Sequence, residues 1–203
     1  MKRTSLPVIC LCAALVLAFA PFAKADQSNQ ATKVTFSQSV EIPGRVLSAG
    51  TYWFTLVRDD PDRNVVQVWN SDRQHLLATI LTVPDERMHA PGHTVVKFEE
   101  RASNQPQALR AWFYPGDNYG HEFVYSESRA RELAKRTGHP VLSMRDEDAA
   151  NITKPAKSAK EPSIVAMKQA HVEAISPSGQ EVDKSQAIQA MSQSSSPMST
   201  PQR

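Results

Sequence analysis

Alternating apolar and polar positions run through most of the first two thirds of the chain. In the segment TYWFTLV, Tyr52, Phe54 and Leu56 occupy one set of alternate positions and Trp53 lies in the other set. A period of two is typical of β-strands, because successive side chains of a strand point to opposite faces. With the turn residues between such runs, the pattern predicts about seven strands. The predicted strands lie in 33–42, 51–57, 65–69, 75–83, 94–100, 108–114 and 121–125.

The periodicity changes after the last predicted strand. Ala130, Leu133 and Ala134 fall on one face of a helix, and Gly138 stands where a left-handed C-cap belongs. Many closely spaced strands with one terminal helix favour an all-β fold, because a parallel α/β sheet needs helices between its strands. The sequence therefore predicts a single antiparallel β-sandwich, or a small barrel, with one C-terminal amphipathic helix.

The N-terminal end of the chain has a composition of its own. Residues 1–25 begin with Lys2 and Arg3, continue as an apolar run and end on an Ala-x-Ala site that predicts cleavage between Ala25 and Asp26. This is typical of a secretory signal peptide, and the apolar run is too short for a permanent membrane span. We therefore expect an exported protein, periplasmic or extracellular, with no stable membrane span after cleavage.

The C-terminal end also differs from the middle of the chain. Residues 145–203 are rich in Ser, Pro, Gln, Ala and Lys, and they contain no aromatic residue. Such a composition buries too little apolar surface to offset the entropy of ordering, so it predicts a disordered tail. The β-sandwich domain is then assigned to residues 26–144, a length that suits one small core.

Charge and cysteine content narrow the classes of function. The formal net charge of +2 falls to −1 when Lys2, Arg3 and Lys24 leave with the signal peptide. With no basic excess, we expect no nucleic-acid partner. Cys10 and Cys12 also lie in the signal peptide, so the remaining chain has no thiol for a disulfide, a nucleophile or a zinc site.

Two motifs carry a resemblance to a group of known proteins. They are the AGTY turn at 49–52 and the WFYPGD…G-x-EFVY block at 112–125. With their surroundings, over about residues 34–136, they resemble a group of uncharacterised secreted proteins from soil bacteria. The resemblance implies export and a β-sandwich fold, and it implies no activity and no functional residues. Ser126 departs from the pattern, in which a proline opens the helix, and we expect it to serve as the N-cap.

Catalytic constellations are weakly represented in this sequence. It has no G-x-S-x-G elbow, and Glu99 and Glu100 are adjacent on a predicted strand, so they point to opposite faces. Asp117, His121 and Glu122 are metal-ligand types that lie close in sequence, but they lack the spacing of a metal site. We therefore expect no enzyme and no cofactor. The alternative is a small loop-based, metal-dependent hydrolase centred on these last three residues.

The tryptophans carry the main functional hypothesis. Alternation puts Trp53, Trp69 and Trp112 on the faces opposite the predicted core, with Arg110 and Tyr114 beside Trp112. An exposed aromatic surface suits stacking on sugar rings or packing on a protein. The sequence therefore predicts a non-enzymatic binding or structural module of the bacterial cell envelope, with a polysaccharide or an envelope protein as its partner. The alternative is that the helix or a second sheet covers this face.

Overall fold

The computed structural model describes residues 30–99 and 105–188, which form thirteen strands and three helices. The strands are β1 (Thr32–Phe36), β2 (Val40–Ile42), β3 (Arg45–Leu47), β4 (Gly50–Leu56), β5 (Val65–Trp69), β6 (Leu76–Glu86), β7 (Val95–Glu99), β8 (Gln107–Phe113), β9 (Tyr119–Phe123), β10 (Tyr125–Ser126), β11 (Val141–Met144), β12 (Glu173–Ile175) and β13 (Glu181–Val182). The helices are α1 (Glu127–Thr137), α2 (Asp146–Ala149) and α3 (Pro162–Gln169).

Some of the predicted features fall outside these residues. The predicted signal peptide, its cleavage site at Ala25 and Asp26, and the end of the predicted tail, 189–203, are among them. Of the three helices described, none has the length and apolar character needed to cross a membrane.

The fold is mostly β, as the sequence predicts. Nine of the described strands belong to one large sheet with the order β1-β4-β5-β6-β9-β8-β2-β3, and β7 pairs with β8 outside this path. Its neighbouring strands are antiparallel, except that β2 and β8 are parallel. The path of described strands is open, with β1 and β3 at its ends, so these strands do not form the small barrel that the sequence left as an alternative.

Strand β6 joins the two halves of the large sheet. Its first half pairs with β5 as far as Leu81, and its second half pairs with β9 from Thr82 onward. Aromatic rings from the two halves meet, since the ring centroid of Phe54 on β4 lies 6.0 Å from that of Trp112 on β8 and 6.4 Å from that of Phe123 on β9. The core therefore lies between the two halves of the sheet.

The pairing of β7 with β8 is irregular at Arg110. Lys97 pairs with Ala111, and the next residue of β7, Phe98, pairs with Leu109, so the register skips Arg110. One extra residue in a strand is a β-bulge, and it shifts the alternation of inward and outward side chains by one position. Residues after the bulge therefore face opposite to what simple alternation predicts.

The bulge overturns the facing predicted for the end of β8. Trp112, predicted to face outward, is 0% exposed and belongs to the core. Phe113, which the same alternation turns inward, is also 0% exposed, and it lies against Gly120 of β9, with the Arg87 guanidinium 5.0 Å and the Lys97 ammonium 4.9 Å from its ring centroid. The prediction that Trp112 belongs to an exposed face is therefore wrong.

Helix α1 forms where the sequence predicts it. Leu133 and Ala134 are buried, and Gly138, with φ of 75°, donates its N–H to the carbonyl of Ala134 over 3.0 Å. Ser126 is the N-cap residue, as expected, but its side chain makes no capping hydrogen bond. The positive φ at the C-cap explains why glycine stands at position 138.

The C-terminal segment is folded where the sequence predicts disorder. Between residues 145 and 188 it forms α2, α3, β12 and β13, and these two strands extend a second sheet with the order β10-β11-β12-β13. Ile164 and Ile175 are fully buried, and Asp146 Oδ1 accepts the backbone N–H of Ser128 in α1 over 3.1 Å. The prediction of a disordered tail is therefore wrong for 145–188. Its aliphatic residues pack on a core that the rest of the chain supplies.

Candidate functional site

Two of the three tryptophans lie side by side on the outward face of the large sheet. Trp53 on β4 pairs with Trp69 on β5, and Lys33 on β1 pairs with Trp53 from the other side. Paired residues of neighbouring strands share a face, so the three side chains form a line across the sheet. Both indoles are partly exposed.

Three cations lie against these indoles. The Lys33 ammonium is 5.7 Å and the Arg73 guanidinium 5.0 Å from the ring centroid of Trp53, and the Lys157 ammonium is 5.9 Å from that of Trp69. These distances allow cation–π attraction. We call these five residues the tryptophan row.

The protein itself orients both indole rings. The Trp53 Nε1–H donates to the carbonyl of Ser71, and the Trp69 Nε1–H donates to the Thr55 hydroxyl, each over 3.2 Å. A buried or half-buried indole N–H normally finds such a partner. With their N–H groups engaged, the rings are held in fixed orientations on the sheet.

Arg73 reaches the row from an unusual backbone conformation. Its φ is 62°, in the left-handed region, and its N–H donates to the carbonyl of Asn70 over 3.0 Å. A residue with a Cβ costs about 1 kcal/mol in that region, and backbone strain of this kind is concentrated at functional positions. The turn therefore carries strain at the residue whose guanidinium covers Trp53.

The C-terminal segment builds one side of the row. Gln67 on β5 shares the outward face with Trp69, and its Nε2 donates to the carbonyl of Ala156 over 2.8 Å. Ala156 is itself fully buried, so the chain is held firmly against the sheet at this point. The next residue, Lys157, is thereby placed beside the second indole.

The outward strand positions around the row hold no carboxylate. On β1, β4 and β5 these positions are Lys33, Thr35, Thr51, Trp53, Thr55, Val65, Gln67 and Trp69. The Thr35 and Thr51 hydroxyls lie 3.0 Å apart. In the adjoining loop, the Asp72 carboxylate accepts the backbone N–H of Gln74 over 2.9 Å. Of these strand positions, Lys33, Thr35 and Thr51 therefore present one cation and two hydroxyls beside the rings, and Gln67 is buried against Ala156.

The other residues predicted for this surface lie elsewhere. Trp112 is in the core, and Arg110 is largely buried, with its Nε donating to Glu122 Oε1 over 3.4 Å. Tyr114 is partly buried and lines a separate small cleft with Asp117. The predicted surface is thus reduced to Trp53 and Trp69, joined by cations that the sequence analysis did not select.

The three candidate metal ligands do not converge. His121 and Glu122 are successive residues of β9, so they point to opposite faces, and His121 stacks on Trp112 with 5.4 Å between ring centroids. Asp117 connects to the imidazole through Gln30, whose Nε2 donates to Asp117 Oδ2 over 2.6 Å and whose Oε1 lies 3.3 Å from His121 Nε2. Within the part of the chain that the structure describes, no three His, Cys, Asp or Glu residues are grouped to hold a metal ion.

His121 is held in its neutral form at neutral pH. Burial, together with the charge of Arg63, lowers the pKa of His121 to about 4, and the Asp117 carboxylate opposes the change. Because Gln30 donates to Asp117, it faces His121 with its acceptor oxygen, which favours the tautomer with the proton on Nε2. The Thr82 hydroxyl, which donates to the carbonyl of Asn64 over 2.9 Å, lies 3.2 Å from the His121 Nδ1.

The pKa of Glu122 is shifted in the opposite direction to that of His121. Burial raises the pKa of Glu122 to about 7, against the charge of Arg110 and with the carboxylates of Asp85 and Glu99 adding to the rise. Its Oε2 is buried and has no hydrogen-bond partner among the described residues. The charged form of a carboxyl group in this position is therefore costly.

A groove of about 730 Å³ lies between β6 and the C-terminal segment. Lys168 lies in its lining, and its ammonium is bonded to Asp60 at 2.5 Å and to Asp62 at 2.6 Å. On the same wall, His171 Nε2 lies 2.6 Å from Glu173 Oε1. These charges are paired within the protein, so the groove shows less spare binding capacity than the tryptophan row.

No protein-family model, no curated protein and no solved structure matches this chain. Its function therefore has to be inferred from its own residues.

Proposed function

We propose that this protein is an exported, non-enzymatic binding module of the bacterial cell envelope, and that the tryptophan row binds a polysaccharide. The observation that carries the proposal is the pairing of Trp53 with Trp69 on the outward face of the sheet. Two adjacent, partly exposed rings offer a flat apolar area that sugar rings can stack on, and the hydroxyls beside them can bond to sugar hydroxyls.

A β-sandwich is the architecture that we infer for the large sheet. The two halves joined through β6 face each other through Phe54, Trp112 and Phe123. One face of β1, β4 and β5 then belongs to the core. On the other face, Thr55, Val65 and Gln67 are buried, and the part at Lys33, Trp53 and Trp69 is available to a ligand. Export is proposed from the predicted signal peptide, residues 1–25, and from the resemblance to secreted bacterial proteins.

The experiment is retention of the purified full chain on insoluble polysaccharides, including peptidoglycan, cellulose, chitin and cross-linked pectate. The variant Trp53→Ala removes one ring of the row. Its matched control is Tyr119→Ala, which removes an aromatic side chain that is 54% exposed on β9. Thermal unfolding of each variant shows that the fold is retained.

We expect the wild type and Tyr119→Ala to be retained on at least one matrix and Trp53→Ala to be lost from it. Equal retention of Trp53→Ala and the wild type would contradict the proposed site. No retention of the wild type on any matrix would reject a polysaccharide ligand and would favour an envelope protein as the partner.

A further inference from the structure

We infer that the polysaccharide bound by the tryptophan row is an acidic one, whose sugars carry carboxylates or other anionic groups. This inference rests on the function proposed above and adds the chemical class of the ligand. It is carried by the positions of Lys33, Arg73 and Lys157 relative to the two indoles.

The cations already occupy the surroundings of the rings. Lys33 and Arg73 both lie within 6 Å of the centroid of Trp53, so a neutral sugar that stacks there has to displace a cation and lose its attraction to the ring. An anionic sugar loses less, because each displaced cation gains a salt bridge to the ligand. The geometry therefore discriminates between neutral and acidic polymers.

The positive charge belongs to this face and not to the protein as a whole. Outside residues 1–25 the chain has a formal net charge of −1. The outward positions of β1, β4 and β5 nevertheless hold a lysine and no carboxylate, and Arg73 and Lys157 add two more cations from neighbouring segments. The carboxylates of these segments are bonded to backbone N–H groups, Asp72 to that of Gln74 and Glu161 to that of Lys157. A local positive surface on a nearly neutral protein favours an anionic ligand at this place and orients it there.

Two of the cations are brought to the row by the turn between β5 and β6 and by the C-terminal segment. Arg73 adopts a left-handed backbone conformation that glycine would adopt without strain. Lys157 follows directly after Ala156, the residue through which the C-terminal segment is bonded to β5. Cations from a strand, a strained turn and a distant segment thus converge on the same pair of rings.

The test is affinity electrophoresis of the full chain in native gels that contain a soluble polymer. The polymers are polygalacturonate, dextran sulfate, neutral dextran and poly-glutamate, which is acidic but contains no sugar. The variants are Trp53→Ala and the triple substitution K33Q/R73Q/K157Q. The control Lys135→Gln removes an exposed cation from α1, away from the row.

We expect retardation by an acidic polysaccharide, little by neutral dextran, and weaker binding at high salt because exposed charges are screened. An exposed ion pair contributes about a 1.4- to fivefold effect on affinity, so the triple variant should bind at least about threefold more weakly, and Lys135→Gln should bind like the wild type. Trp53→Ala should also lose binding. Binding to polygalacturonate and not to dextran sulfate would show that the anionic group must be a carboxylate, and binding to both would show that a sulfate also suffices.

The failures are distinguishable. Equal binding of neutral and acidic polysaccharides, unaffected by the triple substitution, would overturn the acidic ligand and leave the proposed function standing. Equal binding of poly-glutamate and polygalacturonate, unaffected by Trp53→Ala, would reduce the interaction to ion exchange and overturn both. No binding to any polymer would overturn the acidic ligand, and retention on the insoluble matrices would then decide the proposed function separately.

Discussion

Replacing Glu122 with glutamine should uncover a pH dependence of the free energy of unfolding that the wild-type protein hides. Glu122 is 2% exposed, and burial raises its pKa from 4.5 to about 7. His121, its neighbour on β9, is 8% exposed, and burial lowers its pKa from 6.5 to about 4. Each shift couples unfolding to the binding or release of a proton.

The two couplings have opposite signs. Between pH 4.5 and 7 the folded protein keeps a proton on Glu122 that the unfolded chain releases, so this contribution to stability falls as pH rises. Between pH 4 and 6.5 the folded protein lacks a proton on His121 that the unfolded chain binds, so this contribution rises with pH. Each slope is about 1.4 kcal/mol per pH unit, and the two cancel between pH 4.5 and 6.5.

Glu122→Gln removes one of the two slopes. The contribution of His121 then remains alone, and the variant should gain about 3 kcal/mol of stability relative to the wild type between pH 4.5 and pH 8. The attraction of Arg110 to the ionised carboxylate is already contained in the pKa of about 7, so only the change in neutral hydrogen bonding remains, as an offset that does not vary with pH. The test is therefore how the difference in unfolding free energy between Glu122→Gln and the wild type changes with pH, and not the size of that difference at one pH.

The assay is urea unfolding followed by tryptophan fluorescence, in half-unit steps from pH 4 to pH 8. Glu86→Gln, an exposed position on β6, controls for the chemistry of the substitution. In the reciprocal variant His121→Gln only the contribution of Glu122 remains, so the free energy of unfolding should fall as pH rises from 4.5 to 7. The quantity compared is the free energy of unfolding of Glu122→Gln minus that of the wild type. If this difference changes by less than about 1 kcal/mol between pH 4 and pH 8, after allowance for the error of extrapolation to zero urea, Glu122 is not a buried, protonated group at pH 6.

Three further substitutions test other parts of the structure. Gly120→Ala should destabilise the protein by about 1 to 3 kcal/mol in urea unfolding, because the added Cβ would lie 2.4 Å from the Phe113 ring; unchanged stability would contradict this close approach. Arg73→Gly should keep or raise the melting temperature, because it relieves a φ of 62° worth about 1 kcal/mol, while polysaccharide binding falls; a large loss of stability would oppose the strain. Ile164→Ala should cost about 2 to 5 kcal/mol and Val165→Ala, on the exposed side of α3, much less; equal effects would favour an unfolded segment.

Alternation predicts most of the large sheet because its strands have one face toward a core. It fails at Arg110, where the register skips one residue and turns Trp112 inward. A bulge depends on how two strands pair and leaves no sign in the period of either strand alone. The sequence therefore locates the strand correctly and assigns the faces of its last residues wrongly.

Composition fails in the C-terminal segment for a different reason. The absence of aromatic residues from 145–188 shows that this segment cannot form a core of its own. It does not need one, since Ile164, Met167 and Ile175 are buried in the core cluster that also contains the strands of the sheet. A prediction of disorder from composition treats the segment as if it were isolated. Here the segment packs on apolar surface that the rest of the chain provides.

Of the tryptophan row, the sequence pattern can predict only the residues that lie on strands. Alternation places Trp53 and Trp69 on one face, and the pairing of β4 with β5 makes them neighbours. Lys33 occupies an alternate position of β1 and could be added once that strand is paired with β4. Arg73 and Lys157 have no such signal, because a strained turn and the course of the C-terminal segment bring them to the row.

The bond between Gln67 and Ala156 joins residues that are 89 positions apart in the chain. Contacts of that separation form late, since the loop between them must close first, and a chain emerging N-terminus first cannot make this one until residue 156 has left the ribosome or the export channel. During that interval Gln67, which is 5% exposed in the complete fold, and its neighbours on the outward face lack their cover. A chain cut short before Ala156 would keep this sheet face permanently uncovered, so premature termination is predicted to produce self-association as well as loss of the ligand.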